Sequence, residues 1–281
     1  MPDSLPQQLR YRDMQKRHYD DNDLSPEHHV GNYAYHENVP YETFLLHAFG
    51  DVRKPIFADF SDLVAFDYAC GEGRMVRRMS SFFKRVDGCD LSAKMVSAAQ
   101  QRCPQSNIYP CDGMSCGSAA EGTYDFVYTT LSLQHICVYE TRRSIIEGLQ
   151  RLLKPSGKMT LQMVFSKYFP YVPDKNNRRV TDGQLVEYFR EDTHNAGYFD
   201  NKYEAQSTNG LCDVVIGTAD LPKVKEDFLR LFLTVDFSFY DIGIGRGFAY
   251  PVEAQHPHRH RRDTYWATHY IFIHATGPKL L

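Results

Sequence analysis

The chain has 281 residues, 42% hydrophobic and 24% charged, with a net charge of −3. Such a chain can bury a substantial core, shows no overall basic footprint for nucleic acid or an anionic membrane, and has no run of about 18 apolar residues to cross a bilayer. Its seven cysteines are an odd number and form no Cys-x-x-Cys pair, which argues against a disulfide framework or a zinc site and for a reducing, cytoplasmic setting.

Residues 1–60 read as a helical and irregular cap segment, polar at its start and broken at Pro26, Gly31, Pro40 and Pro55. From 61 to 165 short apolar runs alternate with helical periods. LVAFDYA (63–69) is a strand, and Met75, Val76, Met79, Phe82 and Phe83 then recur at helical spacing. KRVDGCD (84–90) is a second strand ending in Asp90. Ser92 is a good N-cap for a helix with Met95, Val96 and Ala99 on one face. NIYPCD is a weak third strand and YDFVYTT a clearer fourth. The helix bearing Ile145, Ile146, Leu149, Leu152 and Leu153 stops at Lys154-Pro155-Ser156-Gly157, before a fifth strand, KMTLQMVF.

Residues 166–215 interrupt the rhythm with Tyr168, Phe169, Tyr171, Tyr188, Phe189, Tyr198, Phe199 and Tyr203, and read as an inserted lid or substrate wall. The core resumes over 216–281. There LPKVKEDFLRLFL sets Leu221, Val224, Phe228, Leu231 and Phe232 on one helical face, and VDFSFYDIGI and TYWATHYIFIHA are the last two strands. Strands alternating with helices predict a single α/β domain with a doubly wound, mostly parallel sheet.

In such a sheet the ligand lies outside the carboxyl ends of the strands, where strand order reverses. The first strand-to-helix turn, FDYACGEGR (66–74), is therefore the natural site. A dinucleotide would prefer G-x-G-x-x-G, whereas this turn reads G-E-G-R-M-V, with Val76 last. Asp67 and Glu72 would repel phosphates, and Asp90, 23 residues after Asp67, is placed to accept from ribose hydroxyls. These acids suit a ligand presenting an ammonium and a ribose, such as S-adenosylmethionine.

The succession FDYACGEGR, VDGCDLS, PCDG, YDFVYTTLSLQHI and RLLKPSGKMTLQ, about 100 residues in order and register, resembles the class I S-adenosylmethionine-dependent methyltransferases. That resemblance implies a Rossmann-like, seven-stranded sheet with an antiparallel last strand, and S-adenosyl-L-homocysteine as product. It puts Asp67 and the backbone of Ala69, Gly71 and Gly73 at the methionine end of the cofactor, and Asp90 on the ribose. Leu91 and Met95 would lie beside the adenine. Asp112 would accept from its exocyclic amine with Gly113 and Met114 adjacent, and Thr130, Leu131 and Gln134 would floor the site. Ala69 departs from the family's usual first glycine.

For the acceptor side, His135 follows the fourth strand and is the candidate general base. Tyr19, Tyr33, Tyr35 and His36 lie in the N-terminal segment, which in similar enzymes covers the cofactor, and are candidate substrate or lid residues. HPHRHRR (256–262) reads as a solvated loop rather than a metal site, so no metal is expected. The fourth strand lacks the Asn/Asp-Pro-Pro-Tyr/Phe tetrad of DNA amino-methyltransferases. Pro110-Cys111 falls where adenine belongs rather than where a nucleophile for cytosine would. A small-molecule acceptor remains (a sugar, a natural-product intermediate or a metabolite), methylated on oxygen or nitrogen, with no nucleic-acid or membrane partner and a homodimer as an open option. The competing readings are a nucleotide-binding oxidoreductase or epimerase and a non-catalytic cofactor-binding protein.

Overall fold

The computed structural model describes residues 4–20, 44, 48, 60–166, 179–181, 184–186, 195–203, 213–240 and 269–279. Helix α1 is Ser4–Asp20. Strand β1 (Val64–Tyr68), helix α2 (Arg74–Met79), β2 (Arg85–Asp90), α3 (Ala93–Arg102), β3 (Ile108–Pro110) and β4 (Tyr124–Thr129) follow in the expected order. A 3₁₀ turn, Leu133–His135, leads to α4 (Tyr139–Leu152) and β5 (Leu153–Ser166). Short strands β6 (Arg179–Thr181), β7 (Gln184–Val186), β8 (Asn195–Gly197) and β9 (Asp213–Gly217) precede α5 (Leu221–Leu229), β10 (Phe232–Tyr240) and β11 (His269–Pro278).

The main sheet runs β10-β11-β5-β4-β1-β2-β3. β1 pairs in parallel with both β2 and β4, while β11 is antiparallel to β5 and to β10. The fold is thus doubly wound. The chain steps outward from β1 through β2 to β3, then returns to β4 on the other flank, so the order reverses between β1 and β4. One face packs Val76 and Met79 of α2 and Val96 and Ala99 of α3 against Ala65, Phe126, Tyr128 and Phe272. The other packs Ile145, Ile146, Leu149 and Leu152 of α4 and Val224 and Phe228 of α5 against Phe66, Val127, Met159 and Leu161. Each such aliphatic side chain contributes about 1.5–3 kcal/mol by leaving water.

Several boundaries differ from the sequence pattern for physical reasons. Helix α2 ends at Met79, and Phe82 and Phe83 sit in the turn beyond it, Phe83 still in the core. Leu231 and Phe232 likewise follow the end of α5, and Phe232 already begins β10. The Lys154–Gly157 break does not separate α4 from β5. Leu153 pairs with Tyr124 and Lys158 with Phe126, so these residues bulge from one continuous strand. Pro155 has no N–H to give to the ladder, and the bulge removes that demand.

Two features build up the carboxyl end of the sheet. β5 pairs with β11 along one edge; along its other edge β4 gives way to β9, which pairs with Val164–Ser166. β8 is parallel to β9, and the residues after β8 are stitched to the start of α4 through Tyr139 N to Asp200 O (2.9 Å) and Lys202 N to Cys137 O (3.0 Å). β6 and β7 form a separate antiparallel pair. No described helix is long and apolar enough to cross a membrane.

Candidate functional site

The turn after β1 curls because left-handed residues recur in it. Ala69 has φ 55°, Gly71 53° and Gly73 82°. Three of its N–H groups are already bonded, two of them to the end of β2: Cys70 donates to Cys89 O (2.9 Å), Gly71 to Asp90 Oδ2 (2.9 Å) and Gly73 to Cys70 O (3.0 Å). The two glycines serve different ends. A Cβ on Gly73 would meet Cys103 Sγ at 3.0 Å and Ala99 Cα at 3.3 Å, so Gly73 lets α3 approach. A Cβ on Gly71 would meet nothing within 4 Å, so Gly71 borders open space. Gly73→Ala is therefore expected to lower stability by about 1–3 kcal/mol through backbone strain plus overpacking. Gly71→Ala carries the backbone strain alone, about 1–2 kcal/mol, and should instead weaken any ligand seated against the turn. Urea titration and ligand titration of both variants check this; the same balance of effects in each would contradict it.

Glu72 departs from the sequence reading. Its carboxylate is buried, with Arg102 Nη2 of α3 3.0 Å away and Arg74 Nε, at the start of α2, 3.5 Å away. With two guanidiniums neutralising it, Glu72 does not repel a ligand phosphate.

Asp90 ends β2 and is buried. Its Oδ2 accepts from Gly71 N and its Oδ1 from Ser92 N, both at 2.9 Å. A carboxylate oxygen has two lone-pair directions, so each can accept once more. Burial pushes the Asp90 carboxyl up, and the backbone N–H groups pull it back only in part. Asp67, inside β1, is pushed well up by burial and by Asp90 beside it. A carboxyl raised in the folded state favours folding while protonated, and that contribution is lost as pH rises through the folded value. Asp67→Asn should therefore gain stability relative to the parent as pH climbs above the ordinary carboxylate range. A stability difference independent of pH in urea titrations would contradict this. Burial, with Asp90 and Asp67 nearby, also pushes the Cys70 thiol up, leaving it an apolar wall and not a nucleophile.

Ser92 caps α3, its Oγ accepting from Met95 N at 3.2 Å, as its sequence position predicts. Met95 is buried. Leu91 reaches Gly113, where an added Cβ would lie 3.3 Å from both its methyl carbons and from Arg12 Cγ. Asp112, exposed beyond β3, folds its own loop: Oδ1 accepts from Met114 N (2.9 Å), Ser115 N (2.7 Å) and Ser115 Oγ (2.8 Å). Burial alone would raise this carboxyl, but those hydrogen bonds outweigh it and hold it below the ordinary range. Its Oδ2 has no hydrogen-bond partner among the described residues.

Beyond β4, Thr130 and Leu131 are half-buried, and Leu131 has φ 54°. Ser132 Oγ ties this loop to itself and to the first turn, donating to Thr130 O at 2.9 Å with Ala69 O 3.5 Å away. Gln134 is buried, with its Nε2 3.5 Å from His135 Nε2. Gln134 Oε1 and Thr129 Oγ1 are buried and have no hydrogen-bond partner among the described residues.

Helix α1 lies across these ends. Tyr11 Oη donates to His135 O (3.0 Å) and accepts from Cys137 N (2.8 Å), and at the far end Ser92 Oγ donates to Asp20 Oδ1 (2.6 Å). Burial, then the nearness of His135, holds the His18 imidazole below its ordinary range. Tyr19 is half-buried with its ring edge-on to His18 at 5.0 Å. The sequence reading singled out Tyr19 and missed Tyr11, Gln15 and His18. The 8-11-15-18 spacing of one helical face was the available signal. Tyr33, Tyr35, His36 and the 256–262 stretch lie outside the described residues. Among those described, no cluster of three or more His, Cys, Asp or Glu is set to hold a metal.

The turn after β1, Asp90, the Asp112 loop and the β4 loop thus surround one region at the reversal point, roofed by α1. Comparison with known proteins bears on it. Residues 66–161 match the family model described as a methyltransferase domain. A curated relative, trans-aconitate 2-methyltransferase of Paracidovorax citrulli (strain AAC00-1), is 29% identical over 106 residues, 37% of this chain and 40% of its own length. Phosphoethanolamine N-methyltransferase 2 of Haemonchus contortus, solved with phosphomonomethylethanolamine and S-adenosylhomocysteine, superposes with a TM-score of 0.51 at 14% identity. That likeness, one of fold, covers 92% of this chain and 61% of the other. A second structure of that enzyme, with S-adenosyl-L-methionine, gives 0.50 at 13% identity over 91% of this chain and 60% of the other.

Proposed function

We propose that this chain, whose residues 66–161 carry a methyltransferase domain, transfers a methyl group from S-adenosylmethionine to a small-molecule acceptor and releases S-adenosylhomocysteine. The observation that carries this reading is Asp90, a buried carboxylate fixed by Gly71 and Ser92 with one acceptor site left on each oxygen. A ligand with vicinal hydroxyls fills those sites. An ammonium supplies donors for Gln134 Oε1, which is buried and has no hydrogen-bond partner among the described residues. The donor set therefore fits the group.

In this reading Asp90 holds the ribose, and Leu91 and Met95 flank the adenine. Asp112, with Gly113 and Met114, takes the exocyclic amine on its remaining oxygen. Asp67 and the backbone of Ala69, Gly71 and Gly73 face the amino-acid end, over a floor of Thr130, Leu131 and Gln134. When bound, the sulfonium supplies an activated methyl group for in-line displacement. The protein's part is to hold the acceptor in line and keep water out, worth up to roughly 7–11 kcal/mol. In the same reading His135 takes a proton from a hydroxyl acceptor. His18, held below its ordinary range, is neutral at pH 7 beside it. Helix α1 and the β8–β9 segment wall the acceptor side.

The test is transfer of labelled methyl from S-adenosylmethionine to a panel that includes trans-aconitate and phosphoethanolamine, the substrates in the names of the similar proteins. Label in at least one acceptor, suppressed by added S-adenosylhomocysteine, is expected, and the labelled atom then decides between oxygen and nitrogen. Binding of NADH in place of either sulfur compound would overturn the reading in favour of a hydride-transfer enzyme.

A further inference from the structure

Helix α1 has an unusual way of being buried. Its most enclosed residues are Gln8, Tyr11 and Gln15, all polar, at successive turns of one face. They dock by hydrogen bonds. Gln8 Nε2 donates to Glu140 Oε2 (2.8 Å), and Gln8 Oε1 accepts from Thr141 Oγ1 (3.3 Å). Gln15 Nε2 donates to Tyr11 Oη (3.2 Å) and lies 3.4 Å from His135 O. Tyr11 Oη thus donates once, to His135 O, and accepts twice, from Cys137 N and Gln15 Nε2. That is the full capacity of a hydroxyl.

The loop these bonds hold, residues 135–137, belongs to no ladder. His135 N and Ile136 N close the 3₁₀ turn on Ser132 O and Leu133 O. Cys137 O accepts from Lys202 N, and the other three groups are met by side chains: Arg142 of α4 donates to Ile136 O, and Tyr11 meets His135 O and Cys137 N. Cys137 is fully buried, and Tyr11→Phe takes away the hydroxyl acceptor that its N–H uses. Meanwhile Asp20, at the other end of α1, receives a hydrogen bond from Ser92, two residues past Asp90. One helix therefore spans both halves of the region, the β2 end and the β4 end.

We propose that Tyr11 is a positioning residue: its hydroxyl ties the loop that carries Gln134 and His135 to α1, so that closure of α1 over the donor and placement of that loop are one event. The donor half of this statement rests on the methyl-transfer reading; the tie between helix and loop does not. Tyr11 touches the loop backbone only and acts on donor and acceptor through it.

Tyr11→Phe removes the hydroxyl and keeps the buried ring. The direct readout is amide hydrogen exchange at Cys137, followed by NMR on the full chain with and without S-adenosylhomocysteine. Exchange at Cys137 should rise tenfold or more in the variant. Dissociation of S-adenosylhomocysteine should speed up about tenfold while association stays within twofold, a split that general loss of structure would not give. Gln8→Ala is the second variant. It loosens α1 at the Glu140–Thr141 anchor, away from Cys137, and should also raise Cys137 exchange if helix and loop move together. Unchanged Cys137 exchange in Tyr11→Phe overturns the tie. Faster exchange with unaltered ligand dissociation reduces Tyr11 to a local structural role and overturns the positioning claim. If the parent binds no S-adenosylhomocysteine, the methyl-transfer reading falls, and the Cys137 exchange of the two variants alone decides whether the tie stands.

Discussion

Replacing Asp90 with alanine is expected to weaken S-adenosylhomocysteine binding by roughly 10²–10⁴-fold, since two hydrogen bonds to a charged group contribute roughly 1.5–3 kcal/mol each. The reasoning starts from the carboxylate's position. Both oxygens are already oriented by backbone N–H groups, Gly71 on one and Ser92 on the other, so little reorganisation remains when ribose hydroxyls arrive. The variant also leaves those two N–H groups without their acceptor, which lowers stability, while relief from burying a charge works the other way. Calorimetric titration at a temperature where both proteins are folded separates binding from stability. Asp90→Asn, which keeps one acceptor oxygen, should fall between. A change below threefold in the alanine variant would remove Asp90 from the site.

The second large effect is on stability. Arg142→Ala is expected to cost about 2–6 kcal/mol, from two carbonyls left unmet at about 1–3 kcal/mol each. Arg142 is fully buried in α4 and donates to Ile136 O and to Tyr198 O, with its guanidinium carbon 5.4 Å from the Tyr198 ring centroid. No described carboxylate pairs with it directly, and burial lowers its pKa from the ordinary arginine range. The guanidinium serves as a multi-donor cross-link between the loop before α4 and the strip after β8. Removing it leaves two buried carbonyls unmet and a cavity. Arg142→Met keeps most of the volume but not the donors and should cost less. Urea unfolding of both variants measures this; a loss under 1 kcal/mol for alanine would show that the cross-link is dispensable.

How much of this was legible in the sequence depends on where each residue's partner sits. The turn and Asp90 were readable because their demands are local: left-handed backbone, a strand end and an N-cap at fixed offsets. Ala69, which departs from the expected glycine, still adopts the left-handed conformation. The role of Glu72 was not readable, because its principal partner, Arg102, lies thirty residues away on α3 and only the packed fold brings them together. Gly73 and Gly71 look alike in sequence, and only Ala99 and Cys103 beside one of them tell them apart. Helix α1 was hardest to place. Its buried face is Gln8, Tyr11 and Gln15, so hydrophobic periodicity points nowhere, and its partners are mostly backbone and polar atoms more than a hundred residues on. Arg142 was invisible for the same reason, since its partners are carbonyl oxygens.

The central claim is that the turn after β1 and the carboxylate ending β2 cradle a methyl donor. A crystal structure of the chain with S-adenosylhomocysteine tests it most directly. The account predicts ribose hydroxyls within hydrogen-bond distance of both Asp90 oxygens, the amino-acid end against Gly71, the adenine amine at Asp112, and α1 closed over them. A ligand bound elsewhere, or one whose ribose does not meet Asp90, would contradict it.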